Sequence, residues 1–350
     1  MVTALLLLSA PAQAQSRGRM VTDSVYAAGL AHNVVGDSPT RRLLVYLPPS
    51  YATSATRRYP VLYLLHGATS TPEEFVDGTY QGFNLALAMD SLIAARAVPE
   101  YIVVMPHADN ALGAGFYANS PATGNWQDFV VRDLVQHVEA RYRTKATRAG
   151  RALVGHSMGG FGALAIGFTF PRRFGLVYAV SPCCLAFVDR LAPTSPAWTS
   201  LAGITRWQDA EPRTRLVLGM AAALDGRPGN ARLFDALPYR VAGTAVVPDS
   251  AVQSRWLRRM PPALASDMVR RGDRAPVLYM EAGSDETGLL EGVAVLRARL
   301  DQLHVRYRDT TFTGGHVDRV RDRFTQAVLP TVGRWFTAPS RTAAAPASRR

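Results

Sequence analysis

Residues 152–164 read "ALVGHSMGGFGAL": an apolar run, then a serine with glycines two positions before and two after it, then a segment of small and apolar residues. The run "RALV" (151–154) has the make-up of a buried strand and "GGFGALAIGFTF" (159–170) that of a buried helix, so residues 155–159 span a strand-to-helix turn. A turn this sharp forces Ser157 into tight backbone geometry, and glycine on both flanks removes the Cβ atoms that would collide there. It lifts the Ser157 hydroxyl above the end of a sheet. The next amide, that of Met158, falls at a helix N-terminus, where developing negative charge is favoured. A G-x-S-x-G match is cheap in a chain with 28 glycines; its place between strand and helix is what gives it meaning.

Working outward, short apolar runs alternate with helix-period segments from Arg42 onward: "RLLVYLPP", "YPVLYLLHG", "YIVVMPH", "RALVGHS", "GLVYAVSP" and "PVLYMEAG". Helices are expected at 83–97, 126–142 and 289–303. In the second, Phe129, Val130, Leu134, Val138 and Tyr142 recur near the helical period and form one apolar face. The alternation predicts an α/β fold, with a mostly parallel central sheet and helices on both faces, built from residues 20–184 and 276–337. Between them, residues 185–275 lose the rhythm. An insertion of this length is uncommon as bare loop, so it is expected to be a helical cap over one edge of the sheet.

Composition excludes several classes. The chain has 350 residues, 48% of them hydrophobic and 19% charged, enough to bury a sizeable core. The net charge of +12 is carried by arginines spread along the chain, Lys145 being the one lysine. The basic runs "RRF" (172–174) and "WLRRM" (256–260) lack interleaved stacking aromatics, so no nucleic-acid partner is expected. At the start, "MVTALLLLSAPAQAQ" carries an apolar run and the small-x-small pattern Ala12-Gln13-Ala14, read as a signal peptide over 1–14 and export to the periplasm or beyond, although no Lys or Arg precedes Arg17. No later stretch has the run of about 18 apolar residues that a membrane span needs. Residues 338–350 form a low-complexity tail, expected to be disordered. Cys183 and Cys184 are neighbours and offer no disulfide framework; they read as small buried apolar side chains. No H-E-x-x-H, Cys/His cluster, P-loop or dinucleotide fingerprint is present, so neither metal nor cofactor is expected.

A serine alone is a weak nucleophile. On this strand–turn–helix frame its base and orienting acid follow in the chain order Ser, Asp/Glu, His. Of the seven histidines, His304 and His316 follow the strand "PVLYMEAG". His316 ends the glycine-loosened "TFTGGH" and is preferred as the base, while His304, at a helix-to-strand junction, reads as structural. For the acid, Glu281 lies inside the strand, whereas Asp285 and Glu286 follow the turn at Gly283, at the carboxyl end of the strand where sites on open α/β sheets gather. Asp285 is preferred, with Glu286 as the alternative. "HGATS" (66–70), after the strand "VLYLL", supplies a second amide donor for a developing oxyanion at Ala68, with His66 as a structural hydrogen-bonder.

These segments together resemble the Putative esterase family of α/β-hydrolases, which groups S-formylglutathione hydrolases, feruloyl and acetylxylan esterases, enterochelin-esterase-like proteins and mycolyltransferases. The resemblance runs from "LLVYLPPSY" (43–51) to "LPTVGRWF" (329–336), through "GFYANSPATGNWQDFVVRDLVQHVEARYRT", "GHSMGGFGAL", "SPCCL" and "GGH". It implies the α/β-hydrolase fold, with Ser157 as nucleophile, His316 as base and the amides of Ala68 and Met158 as oxyanion hole. For the acid it implies two readings: the family's G-x-x-D counted from Gly283 lands on Glu286, whereas aligning "DETG" as an Asp-Glu pair selects Asp285 after a one-residue gap. The activity implied is that of a serine carboxylesterase acting through an acyl-enzyme on a small-molecule or carbohydrate-linked ester. Acyl transfer to a sugar or lipid hydroxyl is the alternative. "GAGFYANS" resembles S-formylglutathione hydrolases in particular, while the leader and the long insertion argue against that cytosolic role.

Overall fold

The computed structural model describes residues 17–338. The signal peptide expected over 1–14 lies outside the described residues, as does the expected tail from residue 339 on. Eight strands form one sheet: β1 (Arg19–Tyr26), β2 (Thr40–Leu47), β3 (Val61–Leu65), β4 (Ile102–Pro106), β5 (Arg151–His156), β6 (Leu176–Val180), β7 (Val277–Gly283) and β8 (Arg308–Phe312). Their order is β1-β2-β4-β3-β5-β6-β7-β8, with β2 antiparallel to both neighbours and every other pair parallel. This is the α/β-hydrolase fold. Along β3, Val61, Tyr63 and Leu65 join the core on one face, and Leu62 and Leu64 the core on the other. Both faces being covered, the central strands read as unbroken apolar runs rather than alternating ones.

One face is covered by α1 (Leu85–Ala94), started by the Asn84 side chain accepting from the Leu87 amide, together with helical segments near the C-terminus. The other face carries α2 (Met158–Thr169) and the helical segment expected at 126–142. That segment runs through Trp126–Asp128, a π-helical turn Phe129–Leu134 and Val135–Arg141. Its wide turn shifts the apolar phase, so that Val131 is buried beside Phe129, Val130 and Leu134.

Within residues 185–275 lie a short helix Ala197–Gly203, α3 (Arg215–Asp225), α4 (Ser250–Leu257) and α5 (Pro261–Arg270), along with a two-stranded hairpin, Tyr239–Ala242 and Ala245–Pro248. Buried aromatics hold the insertion together: the ring of Trp198 lies 5.0 Å from that of Tyr239 and 6.3 Å from that of Trp256. The carboxylate of Asp225, nearly out of water, is gripped by Arg255, whose Nη2 donates at 2.8 Å. The hairpin is an element beyond the expected helices. In addition, α5 is part of the helical layer on the sheet: Pro261, Ala265 and Met268 are spaced i, i+4, i+7, all are buried, and the helix packs between α2 and α6 (Thr287–Gln302). The last helix, α7 (Leu329–Thr337), closes the opposite face. Among the described residues no helix is long and apolar enough to cross a membrane.

Candidate active site

Ser157 sits between β5 and α2 with φ +59° and ψ −119°, a conformation that a non-glycine residue holds only where its surroundings impose it. The cause is crowding. A Cβ on Gly155 would overlap the main chain of Gly159, and one on Gly159 would lie 2.7 Å from the carbonyl oxygen of His66. Strand, turn and helix thus approach more closely than any side chain would permit, and the serine takes up the strain. Its amide donates to the Val180 carbonyl at 2.9 Å and its carbonyl accepts the Phe161 amide at 3.1 Å, the first turn of α2.

The Ser157 hydroxyl lies 2.8 Å from Nε2 of His316, 159 positions away in the chain. Nδ1 of His316 lies 2.5 Å from Oε1 of Glu286. With a carboxylate on Nδ1, the neutral ring carries its proton there and leaves the Nε2 lone pair facing the hydroxyl. Glu286, not the preferred Asp285, is therefore the carboxylate that meets His316. Asp285 is exposed; its amide donates to the Gly314 carbonyl at 3.1 Å and its carboxylate accepts from the Ser284 hydroxyl at 2.9 Å. The turn after β7 points residue 285 at solvent and residue 286, at the start of α6, into the protein. There the second oxygen of Glu286 accepts from the Ser181 hydroxyl at 2.6 Å and the Gly283 amide at 2.5 Å. Burial alone would raise the Glu286 pKa; the donors from His316, Ser181 and Gly283 outweigh it and hold the carboxyl below its ordinary value.

The Ala68 loop crosses directly over the serine: a Cβ on Gly67 would lie 3.3 Å from that of Ser157. His66 shapes it. Nε2 of His66 accepts from the Ala108 amide at 3.0 Å, which can only donate, so Nδ1 carries the proton and donates to the Gly67 carbonyl at 2.8 Å. In a trans peptide the C=O and N–H point in opposite directions, so tethering the Gly67 oxygen turns the Ala68 N–H away from the ring. Neither that amide nor the one of Met158 finds a protein acceptor among the described residues. Burial pushes the His66 pKa down to about 4, so the ring stays neutral. Tyr117 backs the loop from behind, its hydroxyl donating to the His66 carbonyl at 2.9 Å.

His304 lies apart from the serine, exposed, with φ +54° at the end of α6, a helix-terminating position. Three supporting residues escape sequence reasoning: Tyr117, Ser181 and His156. Ser181 directly follows β6 beside the serine strand, and its place at a strand's carboxyl end was a usable signal; the other two have none outside the resemblance.

A cavity of about 790 Å³ opens over Ser157, His316 and Ala68. One wall comes from the insertion, through Arg190, Arg213 and Leu216, and another from Cys183 and Cys184. Both cysteines are free, Cys183 buried and Cys184 half-buried. Among the described residues no group of three or more His, Cys, Asp or Glu side chains is placed to hold a metal ion. The groups the chain itself brings to the cavity are the Ser157 hydroxyl, the His316 imidazole held by a buried carboxylate, and the Ala68 loop with its free amide.

The family described as "Putative esterase" matches residues 38–328. An esterase of Mycobacterium tuberculosis is 40% identical over 124 residues, 34% of this chain and 24% of its own length. The S-formylglutathione hydrolase of Arabidopsis thaliana is 31% identical over 170 residues, covering 44% of this chain and 59% of the hydrolase. The chain thus spans about a quarter of the first relative and about six-tenths of the second. Among solved structures, a ferulic acid esterase superposes with a TM-score of 0.63 at 19% identity over 92% of this chain and 99% of its own. The fluorophosphonate-binding serine hydrolase F of Staphylococcus aureus gives 0.58 at 16% identity over 91% and 99%. At these identities the superpositions speak for the fold. Because the family match runs through well over half of its residues, the chain belongs to the Putative esterase family.

Proposed function

We propose that the protein is a serine carboxylesterase in which Ser157, His316 and Glu286 form the catalytic triad. The observation that carries this reading is the unbroken relay from the Ser157 hydroxyl through His316, at 2.8 Å, to the Glu286 carboxylate, at 2.5 Å, facing the cavity. His316 takes the hydroxyl proton as the Ser157 oxygen attacks the ester carbonyl. The tetrahedral oxyanion accepts hydrogen bonds from the amides of Ala68 and Met158, the latter at the positive end of α2. The protonated imidazole, held by Glu286, then hands the proton to the leaving alkoxide, which departs as the alcohol. Water repeats the sequence on the acyl-enzyme, freeing the carboxylic acid and Ser157.

Solvent access favours hydrolysis over acyl transfer. The His316 side chain is 38% exposed, so water reaches the imidazole that would activate it. Relatives carry the names S-formylglutathione hydrolase and feruloyl esterase, and one solved ferulic acid esterase of the fold holds ferulic acid. They support a small-molecule or carbohydrate-linked ester as substrate, and the mixed polar and apolar walls of the cavity suit such a molecule. A fluorophosphonate should label Ser157 alone, as mapped by mass spectrometry, and S157A should lose both labelling and p-nitrophenyl acetate hydrolysis. Labelling on another serine, or turnover retained in S157A, refutes the mechanism. A panel of p-nitrophenyl esters with methyl ferulate and S-formylglutathione then ranks the acyl groups, and product analysis with added glycerol or trehalose scores transfer.

A further inference from the structure

His156, next to the serine, has no part in the relay, yet it touches the base. Its Nε2 donates to the main-chain carbonyl of His316 at 2.9 Å, and the two rings lie 4.8 Å apart, tilted by 36°. The segment that carries His316 is intrinsically loose: Gly314, with φ +134°, and Gly315 precede it. Its neighbours are tied by the Gly314 amide to Ser284 at 3.3 Å and the Gly315 amide to Asp318 at 2.7 Å, but the His316 peptide itself is held from outside the segment, among the described residues, by His156. The bond has a cost. His156 is 2% exposed and its Nδ1 has no hydrogen-bond partner, an arrangement that folded proteins rarely keep. An apolar side chain at this position would remove the unpaired nitrogen and retain most of the packing against Tyr80 and His316. The one thing it would lose is the Nε2–H. Burial, reinforced by the nearby His316, also pushes the His156 pKa down to about 4, so the ring stays neutral while its neighbour becomes a cation.

We propose that His156 is a positioning residue: its Nε2–H anchors the His316 main chain to the serine turn and keeps the base in line with the Ser157 hydroxyl through both proton transfers. This rests on His316 being the base. The geometry joins base and nucleophile by two routes, side chain to side chain at 2.8 Å and main chain to the residue before the serine at 2.9 Å. The glycine-loosened segment and the strained turn then move as one body.

The test compares H156L, H156Q and H156N with wild type and H316A, as full-length chains, for kcat and KM on p-nitrophenyl acetate and for Tm. H156L should be at least as stable as wild type and keep KM within about twofold. Its kcat should fall about five- to tenfold, the effect of one lost neutral hydrogen bond. H156Q carries its amide nitrogen at the place of imidazole Nε2 and should stay within about twofold of wild type. H156N ends at the place of Nδ1, short of the carbonyl, and should match H156L. The proposal is overturned if H156L keeps kcat within twofold, if H156Q is as slow as H156L, or if Tm and activity fall together in all three. Activity retained in H316A would remove the underlying reading as well; an inactive H316A beside an unchanged H156L removes this proposal alone.

Discussion

Replacing Glu286 by glutamine changes one atom and should invert the base. Oε2 of Glu286 faces the Gly283 amide at 2.5 Å and the Ser181 hydroxyl at 2.6 Å. The amide is an obligate donor, so the oxygen of the new carboxamide must face it and the NH2 group must face Nδ1 of His316. Nδ1 then becomes the acceptor, the ring proton moves to Nε2, and the lone pair that should take the Ser157 proton is gone. The comparable wrong-tautomer substitution in a serine protease costs about 10⁴ in kcat, which is about 5 kcal/mol of activation free energy. We expect E286Q to lose kcat by about 10³ to 10⁴ on p-nitrophenyl acetate with KM little changed. Its stability should fall by about 1–3 kcal/mol through weaker hydrogen bonds to a neutral acceptor. D285N should stay within about twofold, because among the described residues the exposed Asp285 carboxylate accepts only from Ser284. If D285N were the crippled variant and E286Q kept a tenth or more of wild-type kcat, the assignment of the acid, and the tautomer argument with it, would be wrong.

Three further outcomes follow from the same geometry. H66L unties the Gly67 carbonyl and strands the buried Ala108 amide; kcat should fall about 10- to 100-fold, less than the 10² to 10³ typical of removing an oxyanion donor outright, with a stability loss of about 1–3 kcal/mol. A wild-type kcat in H66L would mean that the Ala68 amide is set by something else. G159A drives a methyl against the carbonyl oxygens of Leu65 and His66, so urea denaturation should show a loss above about 3 kcal/mol; a change below about 1 kcal/mol would contradict the packing of β3 against α2. Finally, burial puts the pKa of both His66 and His156 at about 4 in the folded state, against about 6.5 unfolded. Between these values the unfolded chain binds more protons, so stability falls as pH drops from about 6.5 to about 4, by up to about 3 kcal/mol per histidine. Asp37, whose pKa burial raises to about 6, acts in the opposite direction in the same window, so the His156 contribution is read from the difference between wild type and H156L. Urea midpoints should show that difference shifting in favour of H156L as pH drops across the range; a difference that stays constant would show that the His156 ring is not buried as a neutral base.

Much of this was legible in one dimension because the signals are local. The unbroken apolar runs announce strands covered on both faces, and the β5–α2 turn announces itself through Gly155 and Gly159, since close approach of backbones is a property of adjacent residues. Chain order then narrows the histidine that meets Ser157 to two, and the glycines before His316 separate it from His304. Which carboxylate meets His316 was not legible. Asp285 and Glu286 are neighbours in a turn, with no period to tell inward from outward, and the choice comes from the Asp285 amide pairing with Gly314 while α6 begins at the next residue. The helix α5 gave a similar difficulty: its apolar spacing shows one buried face but not whether that face meets a cap or the sheet layer.

Residue types and spacings thus specify the strand–turn–helix frame, the serine it presents and the family of the chain, because each depends on contacts within a few positions along the chain. The partners of that frame belong to three dimensions: Glu286 on His316, Ser181 on Glu286, Tyr117 behind the Ala68 loop and His156 on the His316 carbonyl join segments 30 to 160 residues apart. A hydrogen bond is directional over about 3 Å, and only the assembled sheet, which brings the carboxyl ends of β3, β5, β6 and β7 together, settles which donor meets which acceptor.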